Sequence, residues 1–279
     1  MIESAAQSGY TRLSELLVAR QGVLRIALSG GIDSLTLMTL AAEIRAWPTI
    51  AMHAVSPAVP AEATERCREL ASRFNWSLVE LNADEFSNPQ YVSNPVNRCY
   101  YCKSSLFDRI IEGVTAGCDD IGTLATGTNA DDLGDYRPGL QAASERNVWQ
   151  PYVEANINKA AIRCLARELN LGALAELPAQ PCLSSRVATG IAIDARDLRF
   201  IHQVEKAVAA STEAGDIRCR VTDTGIVVQL PAGSSGLVDS DKRADIAILV
   251  QKMCAQHNRR FKGIEPYRMG SAFLRDCND

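Results

Sequence analysis

The sequence predicts an α/β protein: a parallel sheet with helices on both faces, followed by a smaller α+β domain. Three observations predict it. Short apolar runs alternate with segments of helical apolar spacing through the first two thirds of the chain, a pattern that implies crossover connections. The first run ends in a Gly-Gly turn that opens directly into a helix. Near Val187 the order changes to helix, strand, strand, helix, so the expected domains are 1–186 and 187–279.

Val23 to Leu28 reads as the first strand, with the helix from Ser34 to Ile44 after it. Thr49 to Val55 is a second strand, followed by Pro60, a helix over 61–74 and a third strand from Ser77 to Leu81. Residues 86–97, rich in Asn, Pro, Ser and Gln, read as a loop leading to a helix from Tyr100 to Val114. Ile121 to Thr126 gives a fourth strand ending at Gly127, and Asn129 to Gly139, which lacks periodicity, reads as a loop at its carboxyl end. A helix from Lys159 to Leu169 precedes Pro181-Cys182-Leu183-Ser184-Ser185-Arg186. The second domain is predicted as a helix near 194–214, strands at 217–221 and 225–230, and a helix near 241–257.

Composition narrows the function classes. The chain has 279 residues, 47% hydrophobic and 22% charged, which suits a folded globular protein rather than a disordered or collagen-like one. The N-terminal twenty residues carry acidic and polar side chains where a signal peptide needs a basic start and an apolar stretch, and no apolar run reaches membrane-spanning length, so the expectation is a cytoplasmic protein. With 29 basic and 33 acidic residues the net charge is −4, which disfavours a nucleic-acid partner. Nine cysteines at irregular spacing do not form a disulfide framework.

The sharpest local signal is Ser29-Gly30-Gly31-Ile32-Asp33-Ser34 between strand and helix. Two glycines bring backbone N–H groups close to an anion, and the following helix turns its positive end to the same point. The loop lacks the Lys-Ser/Thr ending of a Walker A loop and the third glycine of a dinucleotide fingerprint. Asp33 can hold a Mg²⁺ ion that neutralises a pyrophosphate leaving group, with Ser29 and Ser34 as hydrogen-bond donors. The plainer reading is a Gly-Gly turn with an N-capping serine.

Arg98-Cys99-Tyr100-Tyr101-Cys102-Lys103 places two cysteines at a loop-to-helix junction, suited to a metal, a cluster or redox exchange. Cys182 lies on a polar loop, with Arg186 close enough in sequence to favour its thiolate. Three thiolates can hold three irons of a 4Fe-4S cluster and leave the fourth open; the alternative is that these are small buried hydrophobes. His53, His202 and His257 lack ligand-like spacing and read as structural, and the other cysteines as packing or surface residues. Asp131, Asp132 and Asp135 read as a solvated loop in which Arg137 serves as a lid contact to phosphate, while Lys103 either contacts phosphate or is solvated.

The Ser29–Ser34 loop resembles that of the PP-loop or N-type ATP pyrophosphatases, which adenylylate a substrate oxygen, release pyrophosphate and let a nitrogen or sulfur nucleophile displace AMP. In combination with the Cys99/Cys102 segment, Asp135-Tyr136-Arg137-Pro138-Gly139-Leu140 and Pro181 to Arg186, the chain resembles the LarE family over nearly its whole length. Members are ATP-dependent sulfur-insertion enzymes of nickel-pincer nucleotide biosynthesis. The resemblance implies a PP-loop, adenine nucleotide alpha hydrolase-like first domain and a second domain for substrate contact and oligomerisation, in a homo-oligomer. It also implies a small-molecule substrate, pyridinium-3,5-biscarboxylic acid mononucleotide, whose carboxylates become thiocarboxylates.

On this resemblance Ser29, Gly30, Gly31, Asp33, Ser34, Ser56 and Gly127 bind ATP, and Arg218, Arg220 and Glu205 meet the substrate; Arg186, Arg137 and Lys103 are further candidates for substrate contact. Cys182 is the sulfur-handling cysteine. Where many members have an aromatic-Pro-Tyr-Gly turn this chain has Val187-Ala188-Thr189-Gly190. Two sulfur chemistries fit the family: Cys182 gives up its own sulfur and becomes dehydroalanine, or Cys99, Cys102 and Cys182 hold a 4Fe-4S cluster that carries sulfide from another donor. The Cys99/Cys102 pair favours the second. Two other classes stay open, a tRNA-thiolating enzyme, marked by steeply salt-dependent tRNA binding, and a non-catalytic ATP sensor, marked by the absence of acceptor-dependent pyrophosphate release.

Overall fold

The structure, a computed structural model, describes residues 2–115, 122–134, 137–212, 217–231 and 240–267. Ile121, residues 213–214, Asp135, Tyr136, Cys118 and Cys277, all given expectations above, lie outside the described residues. Along the chain run α1 (Ile2–Ala19), β1 (Leu24–Leu28), α2 (Ile32–Ile44), β2 (Thr49–Ala54), α3 (Ala61–Phe74), β3 (Ser77–Leu81) and α4 (Pro89–Val92). Next come α5 (Arg98–Thr115), β4 (Thr123–Thr126), α6 (Pro138–Glu145), α7 (Pro151–Glu154) and α8 (Lys159–Glu168). They are followed by α9 (Ala195–Ser211), β5 (Arg218–Thr222), β6 (Gly225–Leu230), α10 (Ser240–Gln256) and β7 (Phe261–Pro266). No described helix is long and apolar enough to cross a membrane.

Contacts divide the chain into Met1–Asn88 with Asn97–Gln180, and Pro89–Val96 with Pro181–Asp279. The expected division at 186/187 is thus displaced to 180/181, and Cys182 to Arg186 belong to the second unit together with part of the segment read as a simple loop.

In the first unit the sheet order is β3-β2-β1-β4, all parallel. Helices cover both faces because β1 is buried at every position. Successive strand residues point to opposite sides. Leu24, Ile26 and Leu28 join a core with Leu13 and Leu17 of α1, Leu35 and Met38 of α2, Cys67 and Leu70 of α3, and Ile162 and Leu165 of α8. Ala27 instead joins Met52, Phe107 and Ile110 of α5 and Ala142 and Ala143 of α6. The continuous apolar run of β1 is what a strand covered on both sides requires.

The second unit has a sheet in the order β5-β6-β7, with β5 and β6 antiparallel and β6 and β7 parallel. Helix α9 packs on β5, and α10 on α9 and β7. Leu198, Ile201, Val204, Cys219, Val228 and Val250 are fully buried there. Residues 89–96 are threaded into this unit by hydrogen bonds: Asn94 Nδ2 donates to the carbonyls of Ala188 and Ile191 at 2.8 and 2.9 Å, and the Ile193 amide donates to Val92 O at 2.8 Å. Strand β7 has no clean alternation; its residues are mostly half-buried or exposed, Gly263 has φ +136°, and the register shifts opposite Ile226 and Val227. For that reason period-two reading does not find it.

Candidate functional site

The apolar run of β1 ends at Leu28, and Gly30 then takes φ +76°, a left-handed conformation that a side chain disfavours. A Cβ at Gly30 would also lie 2.7 Å from the Ala63 carbonyl on α3. The loop therefore needs glycine on two counts. Gly31 is the N-cap of α2 and no side chain caps it, so the first-turn N–H groups keep their capacity for an anion. The two serines organise the loop itself: the Ser29 amide donates to Ser34 Oγ at 3.1 Å, Ser34 Oγ donates to Gly31 O at 3.2 Å, and the Gly31 amide donates to Ser29 Oγ at 3.2 Å. The N-capping serine of the plainer reading is absent; Ser29 stands two residues before the N-cap, and its Oγ accepts from the loop amide of Gly31 instead.

Asp33, in the first turn of α2, carries the loop's carboxylate. Its Oδ2 accepts from Lys159 Nζ at 2.6 Å, while Oδ1 is buried with no hydrogen-bond partner among the described residues. A carboxylate oxygen left in that state has unused lone pairs, and it belongs to the first turn of an uncapped helix. This fits a Mg²⁺ ion, which binds through one or two carboxylates and fills its remaining positions with water and phosphate oxygens.

Other strands shape the same end of the sheet. Gly127 follows β4, and a Cβ there would sit 2.7 Å from Ser34 N and 2.9 Å from Asp33 C, so the missing side chain lets β4 meet the α2 terminus. After β2, Ser56 Oγ accepts from the Ala58 amide at 3.1 Å and fixes the turn into α3. His53 is buried, with Nδ1 2.8 Å from Leu28 O and Nε2 2.9 Å from Thr64 Oγ1. A carbonyl only accepts, so Nδ1 carries the proton and the neutral ring ties the end of β1 to α3. Burial lowers the His53 pKa against the opposing effect of the Leu28 bond, and burial pushes the neighbouring Cys67 thiol up to about 12.

Sequence reasoning missed Lys159, Arg66 and Tyr152. Lys159 opens α8 after Asn158, whose side chain caps the helix by accepting from the Ala161 amide. The available signal was that Asn-Lys cap. Asp131 Oδ2 accepts from the Lys159 amide at 2.9 Å, and Asp132 pairs with Arg137 at 2.7 Å and accepts from the Asn129 amide. Asp131 and Asp132 are therefore not a merely solvated loop; Asp131 tethers the segment after β4 to the α8 terminus, and Asp132 holds Arg137 within that segment. Tyr152 hydroxyl donates to Asp33 O at 3.2 Å, and burial, then the nearby Asp33 charge, raises its pKa well above the usual tyrosine range. Arg66 Nε donates to Gly30 O at 2.8 Å.

Cys99 and Cys102 are half-buried reduced cysteines in the first turns of α5, three residues apart and so on one helical face. A helix N-terminus favours thiolate. Lys103 lies with Nζ 6.0 Å from the Phe107 ring, its stem close to Gly139. Among the described residues no group of three or more His, Cys, Asp or Glu side chains is arranged to hold a metal ion.

In the second unit Cys182 is a half-buried free thiol just ahead of the short helical turn Leu183–Arg186. Arg186 is buried, and its donors go to backbone and carboxylate: Nη1 donates to Pro181 O at 2.6 Å and Cys182 O at 3.1 Å, while Nε and Nη2 pair with both oxygens of Glu205 at 3.0 and 3.2 Å. Glu205 offsets the guanidinium charge, so Arg186 holds the loop's backbone. Glu205 also accepts from the Cys219 amide at 2.9 Å. Tyr91 hydroxyl lies 2.6 Å from Ser184 Oγ and steadies the same turn. Arg218 and Arg220 alternate with the buried Cys219 on β5 and share a face; Arg220 Nε donates to Gln229 Oε1 at 2.6 Å and Nη1 to Ser185 O at 2.9 Å. Burial lowers the Arg220 pKa.

No protein-family model matches the chain. It is 37% identical over 181 residues to an uncharacterised protein of Synechocystis, covering 64% of this chain and 66%, just under two thirds, of that protein's length. It is 29% identical over 214 residues to an uncharacterised protein of Methanocaldococcus jannaschii, covering 77% of this chain and 80% of the relative. Over 237 residues, 83% of this chain and 84% of the relative, it is 26% identical to a protein of Lactiplantibacillus plantarum named pyridinium-3,5-bisthiocarboxylic acid mononucleotide synthase.

Proposed function

We propose that the chain is a PP-loop ATP pyrophosphatase that transfers sulfur to adenylylated carboxylates of pyridinium-3,5-biscarboxylic acid mononucleotide. The observation that carries this reading is the buried, unpartnered Oδ1 of Asp33 beside Lys159 at the uncapped start of α2. Support comes also from the name of the Lactiplantibacillus plantarum relative. In this reading the loop amides of 29–34 bind the ATP phosphates, Asp33 holds Mg²⁺, and Lys159 neutralises phosphate charge when it leaves Asp33. Mg²⁺ supplies charge neutralisation for the pyrophosphate that departs. A substrate carboxylate oxygen attacks the α-phosphorus, the bond to the bridging oxygen breaks, and acyl-adenylate and pyrophosphate form. A sulfur nucleophile then attacks the acyl carbon and AMP leaves with the electron pair. Ser56 and Gly127 border the nucleotide, and Arg218, Arg220 and Lys103 receive the mononucleotide, with Arg186 and Glu205 supporting the Cys182 turn.

Cys182 handles sulfur. Cys99 and Cys102 suit a shared centre by their spacing on α5, and with Cys182 they would hold a 4Fe-4S cluster whose open iron would supply sulfide. The experiment measures pyrophosphate release from ATP and Mg²⁺ with and without the biscarboxylate mononucleotide. Acceptor-dependent release that is lost in Asp33→Ala is expected; wild-type release from that variant refutes the assignment of Asp33. Iron and sulfide content of anaerobic protein, together with the mass of the Cys182 peptide after turnover, decides the sulfur source. One cluster per chain with intact Cys182 supports the cluster, and dehydroalanine with one sulfur delivered per chain supports sacrifice.

A further inference from the structure

The phosphate loop is gripped from behind by α3. Gly30 rests against Ala63, Thr64 holds His53 and through it Leu28 O, and Arg66 Nε donates to Gly30 O at 2.8 Å. The same guanidinium reaches a second partner, Gln180 Oε1, at 2.6 Å from Nη2. Gln180 closes the first unit, and Pro181 and Cys182 follow it directly in the chain. Arg66 is thus the one side chain among the described residues that hydrogen-bonds both the phosphate-loop backbone and the residue two positions before Cys182.

Two rigid planes meet at this point. In a trans peptide the carbonyl and the next N–H point in opposite directions. Holding Gly30 O therefore aims the Gly31 N–H toward the loop, where it now donates to Ser29 Oγ at 3.2 Å. An anion that takes this N–H tilts the peptide plane and moves its carbonyl. The guanidinium is planar and its Nε and Nη2 donors form a fixed fork. A tilt at Gly30 O is passed to Gln180 through this fork.

We propose that Arg66 is a positioning residue that couples occupancy of the phosphate loop to the segment carrying Cys182, through Gln180. The inference rests on the ATP-binding reading above and deepens it: the sulfur-handling segment takes its bound-state arrangement only while phosphates fill the loop. Such a link orders the reaction, because the thiol segment responds to ATP before an acyl-adenylate exists.

The test follows backbone amide hydrogen exchange of residues 182–186 by mass spectrometry in the full chain, with and without ATP and Mg²⁺, while equilibrium dialysis measures ATP binding. In wild type, ATP changes the exchange rate of this peptide about fivefold or more. Gln180→Ala, a surface change, binds ATP like wild type but loses that response. Gln180→Glu keeps an acceptor for Arg66 and retains it, which a purely structural role for Gln180 does not require. Arg66→Lys, whose ammonium lacks the fork, loses the response. An ATP response in Gln180→Ala equal to that of wild type overturns the coupling and leaves the ATP site standing, as does wild type that binds ATP with no change at 182–186. Wild type that binds no ATP overturns both readings.

Discussion

Replacing Gly127 by alanine tests the architecture of the sheet end where β4 meets the start of α2. The added Cβ would stand 2.7 Å from Ser34 N and 2.9 Å from both Asp33 C and Ser34 Cα. All three are backbone atoms in the first turn of α2, so no rotamer change relieves the overlap. Restoring an ordinary separation near 3.5 Å needs a relative shift of about 0.8 Å between β4 and the helix start. Overpacking of this kind costs about 1–3 kcal/mol, which lowers the melting temperature by roughly 2–10 °C for a chain of this size. A displacement near 1 Å at a reacting site reduces turnover by about 100-fold, because Asp33 and the loop amides move together. Calorimetry and acceptor-dependent pyrophosphate release measure the two effects. Gly113→Ala is the control: nothing lies within 4 Å of its added Cβ at an exposed position of α5, and a gain of up to about 1 kcal/mol is expected from helix propensity. If Gly127→Ala matches wild type in melting temperature and activity, β4 does not meet α2 as described and the geometry of the site is wrong.

Lys159→Met removes the cation paired with Asp33; phosphate binding should weaken, so the ATP concentration at half-maximal pyrophosphate release should rise about tenfold or more, whereas an unchanged value would dissociate Lys159 from phosphate. Arg186→Gln leaves Glu205 without its bidentate partner in a buried place, and a loss of about 3–5 kcal/mol in denaturant unfolding is expected; a loss under 1 kcal/mol would show that the pair does not hold the Cys182 turn. His53 has its folded pKa lowered by burial, so the folded state favours the neutral ring and its stabilisation is complete above the unfolded value near 6.5 and lost as pH falls below it. Unfolding free energy should decline on the acid side of about pH 6.5, less steeply in His53→Gln; identical slopes in the two proteins would contradict this. Asp194→Ala deletes the cap of α9, where Asp194 accepts from the Arg196 amide at 2.7 Å, and should cost about 1 kcal/mol, measurable by urea titration.

Local chemistry in the sequence determined the elements and the phosphate loop. Apolar runs bounded by turn residues located β1, β2, β3 and β6, and the helical spacing of 61–74 matched α3 residue for residue, because these signals depend on neighbours within a few positions. The Gly30-Gly31 turn into α2 was legible for the same reason: backbone freedom and a helix start are properties of consecutive residues. Helix α6, opened by Pro138, was hidden in a segment of turn formers, and β7 was hidden by its broken alternation. Tertiary structure alone decided which side chains serve the loop. Lys159 lies 126 residues from Asp33 and Arg66 lies 36 from Gly30, and no periodicity can join residues so far apart. The same holds for charge: Arg186 read as a cation beside Cys182 until folding placed Glu205, nineteen residues on, against its Nε and Nη2. A side chain's type is written in the chain, but its partner, and hence its charge and its task, is set by which surfaces the buried strands and helices bring into contact.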